Sequence, residues 1–338
     1  MRRRTRNARH ETRLAETRDM GRGTWEARMA GTRDMGHGTR AWLRRGTRDM
    51  GRGKRAWARH GTWDEKLATS KPSERTSKMI DWRLKEKLKG KDILYGTHTG
   101  LNNAVITEIL SGLGYDYLWI DTEHAAVDYA ELVQMIGNAW NAGTPPLVRL
   151  NIGDRNHSKR VMEMGPAGII FPMVDTAEQA NESIKFTLYP PDGFRGFGPQ
   201  RAVRYGLDND MEYLQHANEA LCRFIQLESP EAVDNLPAML KNPWIDGFII
   251  GPVDLSCRAG CPGDVYSEKV TSLVRMAADI VLPAGRRFGL SLGALTPEGR
   301  QHWLDLGINM ISIGNDYTFV LQGARQNLEF LRTGKSLH

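Results

Sequence analysis

Phe224-Ile225-Gln226-Leu227-Glu228-Ser229-Pro230 and, one helix further on, Ile245-Asp246-Gly247-Phe248-Ile249-Ile250-Gly251-Pro252-Val253-Asp254-Leu255-Ser256 are short apolar runs that each end in an acidic residue. Glu228 and Asp254 stand about one strand-plus-helix repeat apart, the spacing of neighbouring strands in a parallel β/α fold. Two carboxylates at the ends of adjacent parallel strands make an oxygen-only site for a hard cation. Such donors on a rigid sheet favour Mg2+ or Mn2+ over zinc and leave coordination positions for a chelating substrate.

The same alternation continues on both sides of this pair. Strands are expected at 93–97, 117–121, 147–150, 168–171, 223–228, 247–250, 287–291 and 310–313, with amphipathic helical stretches at 103–113, 129–141, 158–164, 177–187, 231–240, 269–282 and 297–306. Ser229-Pro230-Glu231 and Thr296-Pro297-Glu298 each put a capping hydroxyl ahead of proline at the first helical position. Near-continuous apolar strands joined by helices imply a parallel sheet covered on both faces. Eight such units close into a (β/α)8 TIM barrel over residues 79–338, a length usual for that architecture.

The net charge of +6 belongs to a different part of the chain. Residues 1–78 carry 22 Lys+Arg against 9 Asp+Glu, and the remainder carries 24 against 31. A basic arm thus precedes an acidic body. Residues 17–61 are three copies of a 15-residue unit, visible in Thr17-Arg18-Asp19-Met20-Gly21, Thr32-Arg33-Asp34-Met35-Gly36 and Thr47-Arg48-Asp49-Met50-Gly51. The unit has no Val or Ile, and its period is shorter than those of solenoid repeats. Residues 1–78 are therefore expected to form a disordered, Arg/Gly-rich low-complexity arm. Arginine with Trp25, Trp42 and Trp57 could bind nucleic acid, but biased composition is weak evidence for a partner and the arm reads first as a duplicated tract. No hydrophobic span reaches membrane length. Cys222, Cys257 and Cys261 suggest neither a disulfide framework nor a complete zinc site, which points to reduced thiols and a cytoplasmic location.

On a barrel of this kind the polar residues at strand ends share one rim. Asp121, Glu123 and His124 follow the second strand, Arg149 ends the third, Gln226 and Glu228 end the fifth, and Asp254 follows the sixth. That C-terminal rim is where such barrels build active sites, because the loops vary while the strands hold them rigid. Taken singly, each residue has a structural explanation, as a helix-start acid or a satisfied loop histidine. Their joint location favours a site.

Leu118-Trp119-Ile120-Asp121-Thr122-Glu123-His124-Ala125, Val148-Arg149, Tyr189-Pro190-Pro191-Asp192-Gly193-Phe194-Arg195-Gly196-Phe197-Gly198, Ile225-Gln226-Leu227-Glu228 and Gly251-Pro252-Val253-Asp254-Leu255-Ser256 resemble, in order and spacing, the motifs of the HpcH/HpaI aldolase family. The resemblance covers residues 80–333 and says nothing of 1–78. It implies a metal-dependent, class II aldolase that acts on 2-oxo acids through a metal-bound pyruvate enolate. The divalent ion, Mg2+ or else Mn2+ or Co2+, would sit on Glu228 and Asp254. It would be chelated by pyruvate or oxaloacetate, with Arg149 at the keto oxygen and His124 serving the general base. Asp121, or Glu163 at the position of the family's helical aspartate, would orient His124, while Gln226, Val253 and His98 would line the substrate pocket. His98 replaces a tryptophan common in bacterial members. The resemblance also implies a homo-oligomer, a hexamer.

The chemistry accounts for these residue types in its own terms. Making or breaking a C–C bond beside a 2-oxo acid carbonyl passes through an enolate whose negative oxygen needs compensating charge. A divalent cation and a permanently charged guanidinium supply it, and a histidine titrating near neutrality moves the proton. Retro-aldol cleavage, aldol addition to an aldehyde and oxaloacetate decarboxylation share that enolate. So does an alternative of the macrophomate synthase type, in which the enolate from oxaloacetate adds to a 2-pyrone. A CoA-ester lyase of the citrate-lyase β type fits the Tyr189–Gly198 signature less well, and nucleic-acid binding through the arm would leave the rim unexplained. No membrane partner is expected.

Overall fold

The structure, a computed structural model, describes residues 80–151 and 154–335. The expected basic arm and its three repeats lie outside the described residues. Eight strands run in parallel, each paired with the next: β1 (Leu94–Thr99), β2 (Tyr117–Asp121), β3 (Pro146–Arg149), β4 (Gly168–Phe171), β5 (Cys222–Leu227), β6 (Gly247–Ile250), β7 (Arg287–Leu292) and β8 (Met310–Asn315). β8 pairs with β1, so the sheet closes into a barrel. Helices α1 (Arg83–Lys89), α2 (Ala104–Ser111), α3 (Tyr129–Ala142), α4 (Arg155–Glu163), α5 (Ala177–Lys185), α6 (Asp210–Ala220), α7 (Pro230–Asp234), α8 (Leu236–Met239), α9 (Pro252–Arg258), α10 (Glu268–Val281), α11 (Pro297–Asp305) and α12 (Asp316–Thr333) precede, connect and follow the strands. The expected (β/α)8 architecture is the one found.

Side chains alternate across the strands, and that alternation builds both the core and the rim. Leu118, Ile120, Val148, Ile225, Leu227, Phe248, Ile250, Phe288 and Leu290 point outward and pack under the helices. Tyr117, Trp119, Leu147, Phe224, Ile249 and Met310 point inward and fill the barrel. Trp119 is fully buried there, and truncating an aromatic of this kind to alanine costs about 3–5 kcal/mol. Continuing the inward series two residues up each strand carries Asp121 above Trp119, Arg149 above Leu147, and Gln226 then Glu228 above Phe224. The period-2 pattern that packs the barrel therefore also delivers the polar set to its open end. Gly96 keeps the interior passable for Tyr117, because a Cβ there would lie 2.3 Å from the tyrosine ring.

The far end is closed by α1. Leu84 is buried within the inner cluster, and Arg287 at the start of β7 donates to the main-chain carbonyls of Lys87, Leu88, Gly90 and Asp92 at 2.6–2.9 Å. Capping hydroxyls act at both expected helix starts, Ser229 on Ala232 N–H and Thr296 on Gly299 N–H. The stretch expected as one helix over 231–240 is two, because Asn235 ends α7 and Pro237 falls in the first turn of α8. α6 was not anticipated. It packs Tyr213 and Ala217 against Tyr189 and Val203 in a separate cluster beneath the 190–206 segment.

α12 departs from the other barrel helices. Of its residues only Asp316 is buried, and Tyr317, Val320, Leu328, Phe330 and Leu331 are exposed. Asp316 accepts from Thr99 Oγ1 at 2.7 Å and from the Gly100 and Leu101 N–H groups at 3.0 and 2.8 Å, which ties the start of this helix to the end of β1.

Candidate active site

A cavity of about 390 Å3 opens at the C-terminal ends of the strands, lined by His98, Asp121, His124, Arg149, Gln226, Glu228, Val253 and Asp254, together with Ser291, Asn315 and Tyr317. Asp121 and Arg149 are register partners on β2 and β3. Arg149 donates from Nε to Asp121 Oδ1 at 3.0 Å and from Nη2 to Oδ2 at 2.5 Å, a two-pronged pair in which the planar fork meets the carboxylate. Its Nη1 lies 3.2 Å from Glu123 Oε2, and the guanidinium stands 5.4 Å over the Trp119 ring. Three neighbours thus fix one buried cation. Burial alone would push the Asp121 carboxyl up, but Arg149's hydrogen bonds and charge, with the Glu123 and His124 N–H groups, hold it below the usual carboxylate range.

Glu228 is almost completely buried. Its Oε1 accepts from Gln226 Nε2 and its Oε2 from the Met173 N–H, both at 2.8 Å. Met173 reaches it from a left-handed backbone conformation, φ 53°, which is strained for a side chain with a Cβ. Gly251 comes so close that a Cβ there would lie 2.7 Å from Glu228 Oε1, so glycine in the Gly-Pro-Val-Asp stretch makes room for the carboxylate. Burial pushes the Glu228 pKa up to about 7, helped by the charges of Glu123 and Asp254 and opposed by Met173 N–H and Arg149. Burial likewise raises Glu123, with Asp121 and Asp254 adding to the rise and Arg149 opposing it. Glu123, Glu228 and Asp254 thus lie close enough to repel one another, with Arg149 opposing. That clustering, and the all-oxygen donor set of Glu228 and Asp254, fit a divalent cation. Among the described residues no group of three or more His, Cys, Asp or Glu is arranged to hold a metal, so Glu228 and Asp254 would act as a pair.

The remaining expected residues fall in different places. His124 is exposed at the mouth, and its Nε2 lies 3.7 Å from Glu123 Oε2. Glu163 does not line the cavity. It ends α4, buried, with Oε1 3.6 Å from Arg195 Nη2, because the buried guanidinium of Arg195 draws the nearest carboxylate. The carboxylate beside His124 is Glu123. His98 lies inside the cavity wall with both nitrogens engaged, Nδ1 2.7 Å from Gly314 O and Nε2 2.9 Å from Ser291 Oγ. A carbonyl only accepts, so Nδ1 carries the hydrogen and Nε2 accepts from the Ser291 hydroxyl. Burial lowers the His98 pKa to about 4, leaving the ring neutral. Glu123 was expected on the rim but without a role, and Met173 and Ser291 were not among the expected site residues. Ser291 could have been found by extending the inward series along β7, whereas Met173 acts through its main chain and leaves no side-chain signal.

An eight-stranded parallel barrel with a carboxylate pair and a clamped arginine on its C-terminal rim has the layout of a barrel enzyme's active site. Comparison with known proteins narrows this further. The family model for HpcH/HpaI aldolase/citrate lyase matches residues 94–322. A 2-keto-3-deoxy-L-rhamnonate aldolase of Escherichia coli K12 is 33% identical over 255 residues, 75% of this chain and 94% of the relative. A crystal structure of an HpcH/HpaI aldolase/citrate lyase family protein from Burkholderia cenocepacia J2315 superposes with a TM-score of 0.70 at 29% identity, covering 75% of this chain and all of that one. Macrophomate synthase superposes with a TM-score of 0.67 at 23% identity, covering 81% of this chain and 98% of that one, a likeness of fold alone. The chain belongs to the HpcH/HpaI aldolase/citrate lyase family and is a carbon–carbon lyase of the aldolase type.

Proposed function

We propose that this enzyme makes or breaks the C–C bond beside the carbonyl of a 2-oxo acid, generating or using the enolate of pyruvate with the help of a divalent cation. The observation that carries this reading is that Arg149, fixed by Asp121 and Glu123, lines the same cavity as the carboxylates of Glu228 and Asp254. Glu228 and Asp254 would hold the cation, which when bound supplies a Lewis acid. Arg149 has N–H groups left over from its two carboxylate partners, and these would meet the keto oxygen as negative charge gathers on it. In the cleavage direction the 4-hydroxyl loses its proton, the bond between C3 and C4 breaks, the aldehyde departs and the electron pair is left on the keto oxygen. His124, at the mouth beside Glu123, would take that proton, and it would return one in the addition direction. Asp121 would keep the Arg149 fork in plane.

Among 2-oxo acids we propose 2-keto-3-deoxy sugar acids first, the class to which the named substrate of the E. coli relative belongs. His98 consumes the Ser291 hydrogen, so Ser291 Oγ faces the cavity with lone pairs free to accept from a sugar hydroxyl. The test is turnover of 2-keto-3-deoxy acids and of oxaloacetate by purified protein with Mg2+, Mn2+ or Co2+. Pyruvate release from the former supports the reading, and activity confined to 2-pyrone addition would favour the macrophomate synthase type instead.

We also propose that the enzyme self-associates in the cytoplasm, a second copy covering the apolar residues that α12 and the outer face of α2, Val105 and Ile109, leave exposed. A hexamer is the expected state. Light scattering on the full chain and on a Phe330→Arg/Leu331→Arg variant checks it, the variant falling to a smaller species. Among the described residues no helix is long and apolar enough to cross a membrane.

A further inference from the structure

The turn after β2 is tied down by a chain of hydrogen bonds from α4, an element with no residue in the cavity. Thr122 sends both its N–H and its hydroxyl to the Arg149 carbonyl, at 3.2 and 2.5 Å. The hydroxyl hydrogen is thereby committed, so Thr122 Oγ1 can only accept from His157 Nε2, 3.2 Å away. A neutral His157 with its hydrogen on Nε2 must accept at Nδ1, where the Tyr129 hydroxyl stands at 2.7 Å. The direction of every bond follows: Tyr129 to His157, His157 to Thr122, Thr122 to the main chain of Arg149. Burial lowers the His157 pKa, with Arg160 adding to the drop and Asp154 opposing it, which keeps the ring neutral. Arg160 stands 5.1 Å over the Tyr129 ring and steadies the far end of the chain.

We propose that His157 is a positioning residue for the active site. By joining Tyr129 on α3 to Thr122 at the end of β2, it holds the turn carrying Asp121, Glu123 and His124 against β3, so that both carboxylates stay on Arg149. The inference rests on the proposed 2-oxo acid chemistry for its kinetic consequence, although the hydrogen-bond chain stands apart from it. Small displacements of a group that orients a reacting centre lower rates steeply.

The experiment uses the full-length enzyme with Mg2+, which is diamagnetic. Nitrogen-15 NMR of its histidines should show His157 as the Nε2–H tautomer at neutral pH. His157→Leu keeps the volume and loses the hydrogen bonds, and should lower kcat/KM for the 2-oxo acid about tenfold. His157→Gln restores an N–H toward Thr122 and should recover to within about threefold. Thr122→Val should resemble His157→Leu, and the double variant should lose no more than either single one. An Nδ1–H tautomer, unchanged turnover in His157→Leu, failure of the Gln variant to rescue, or additive losses would each overturn the proposal. Should the unsubstituted enzyme turn over no 2-oxo acid, the functional reading fails. The tautomer and the coupling of the same substitutions in melting temperature then decide the positioning role by themselves.

Discussion

Asp121 at the end of β2 and Arg149 at the end of β3 are register partners whose side chains meet as a two-pronged ion pair, Nε to Oδ1 at 3.0 Å and Nη2 to Oδ2 at 2.5 Å. The sheet itself sets this geometry, so the fork is presented to the cavity already oriented. Arg149→Lys keeps the charge and loses the plane, and should lower kcat/KM for oxaloacetate more than tenfold, of the order of 2–4 kcal/mol of transition-state stabilisation. Asp121→Asn keeps the shape and weakens the clamp, and should lower it less. Steady-state kinetics on the two variants give the order, and an Asp121→Asn loss exceeding that of Arg149→Lys would contradict it.

His124 is exposed at the mouth beside Glu123, whereas Glu228 is almost completely buried. On the proposed reading, a group so placed would serve the acceptor oxygen rather than the keto oxygen. His124→Ala should therefore slow aldol cleavage at least tenfold while sparing oxaloacetate decarboxylation, which needs no base to release its carbon dioxide. Parallel assays of the two reactions make the comparison, and equal losses would remove the role.

Glu228 gives the enzyme a pH signature when it is free of metal. Its folded pKa, raised to about 7 chiefly by burial, exceeds that of the unfolded chain, so between pH ~4.5 and ~7 the folded protein holds a proton the unfolded chain has lost. Stability is therefore highest below that window and falls as pH rises through it, by up to about 3 kcal/mol. Calorimetry in a chelator from pH 5 to 8 should show the melting temperature declining. Mn2+ should remove the decline, because a bound cation favours the carboxylate. A flat profile in chelator would show that Glu228 is not held in this way.

Most of the barrel was legible because its strands are apolar on both faces and end where polar residues begin: β2, β4 and β6 have the bounds their sequences suggest. β8 runs on to Asn315, past the last aliphatic residue, since Gly314 is held by its carbonyl contact to His98 rather than by side-chain burial. α6 was invisible because its stabilising partners, Tyr189 and Val203, come from the preceding irregular segment and not from its own periodicity. In the site, the rim residues could be read from strand ends. The pairing of Glu163 with Arg195 could not, because it depends on how the 190–206 segment folds back over α4. Nor could the Met173 contact to Glu228, which is made by a main-chain N–H turned by an unusual φ.

On the proposed reading, Glu228 and Asp254 together would hold the divalent cation on which 2-oxo acid turnover depends. The most direct measurement is a Mn2+ titration of oxaloacetate decarboxylation by metal-depleted enzyme, run on the parent and on Glu228→Gln and Asp254→Asn, with Mn2+ binding followed in the same samples by its paramagnetic resonance. Activity should rise with bound Mn2+ in the parent. In each variant both should fall by at least tenfold, with the circular dichroism of the fold retained, since losing one of two anionic ligands removes most of the affinity. Turnover unaffected by metal depletion, or variants that bind Mn2+ and decarboxylate oxaloacetate as the parent does, would contradict it.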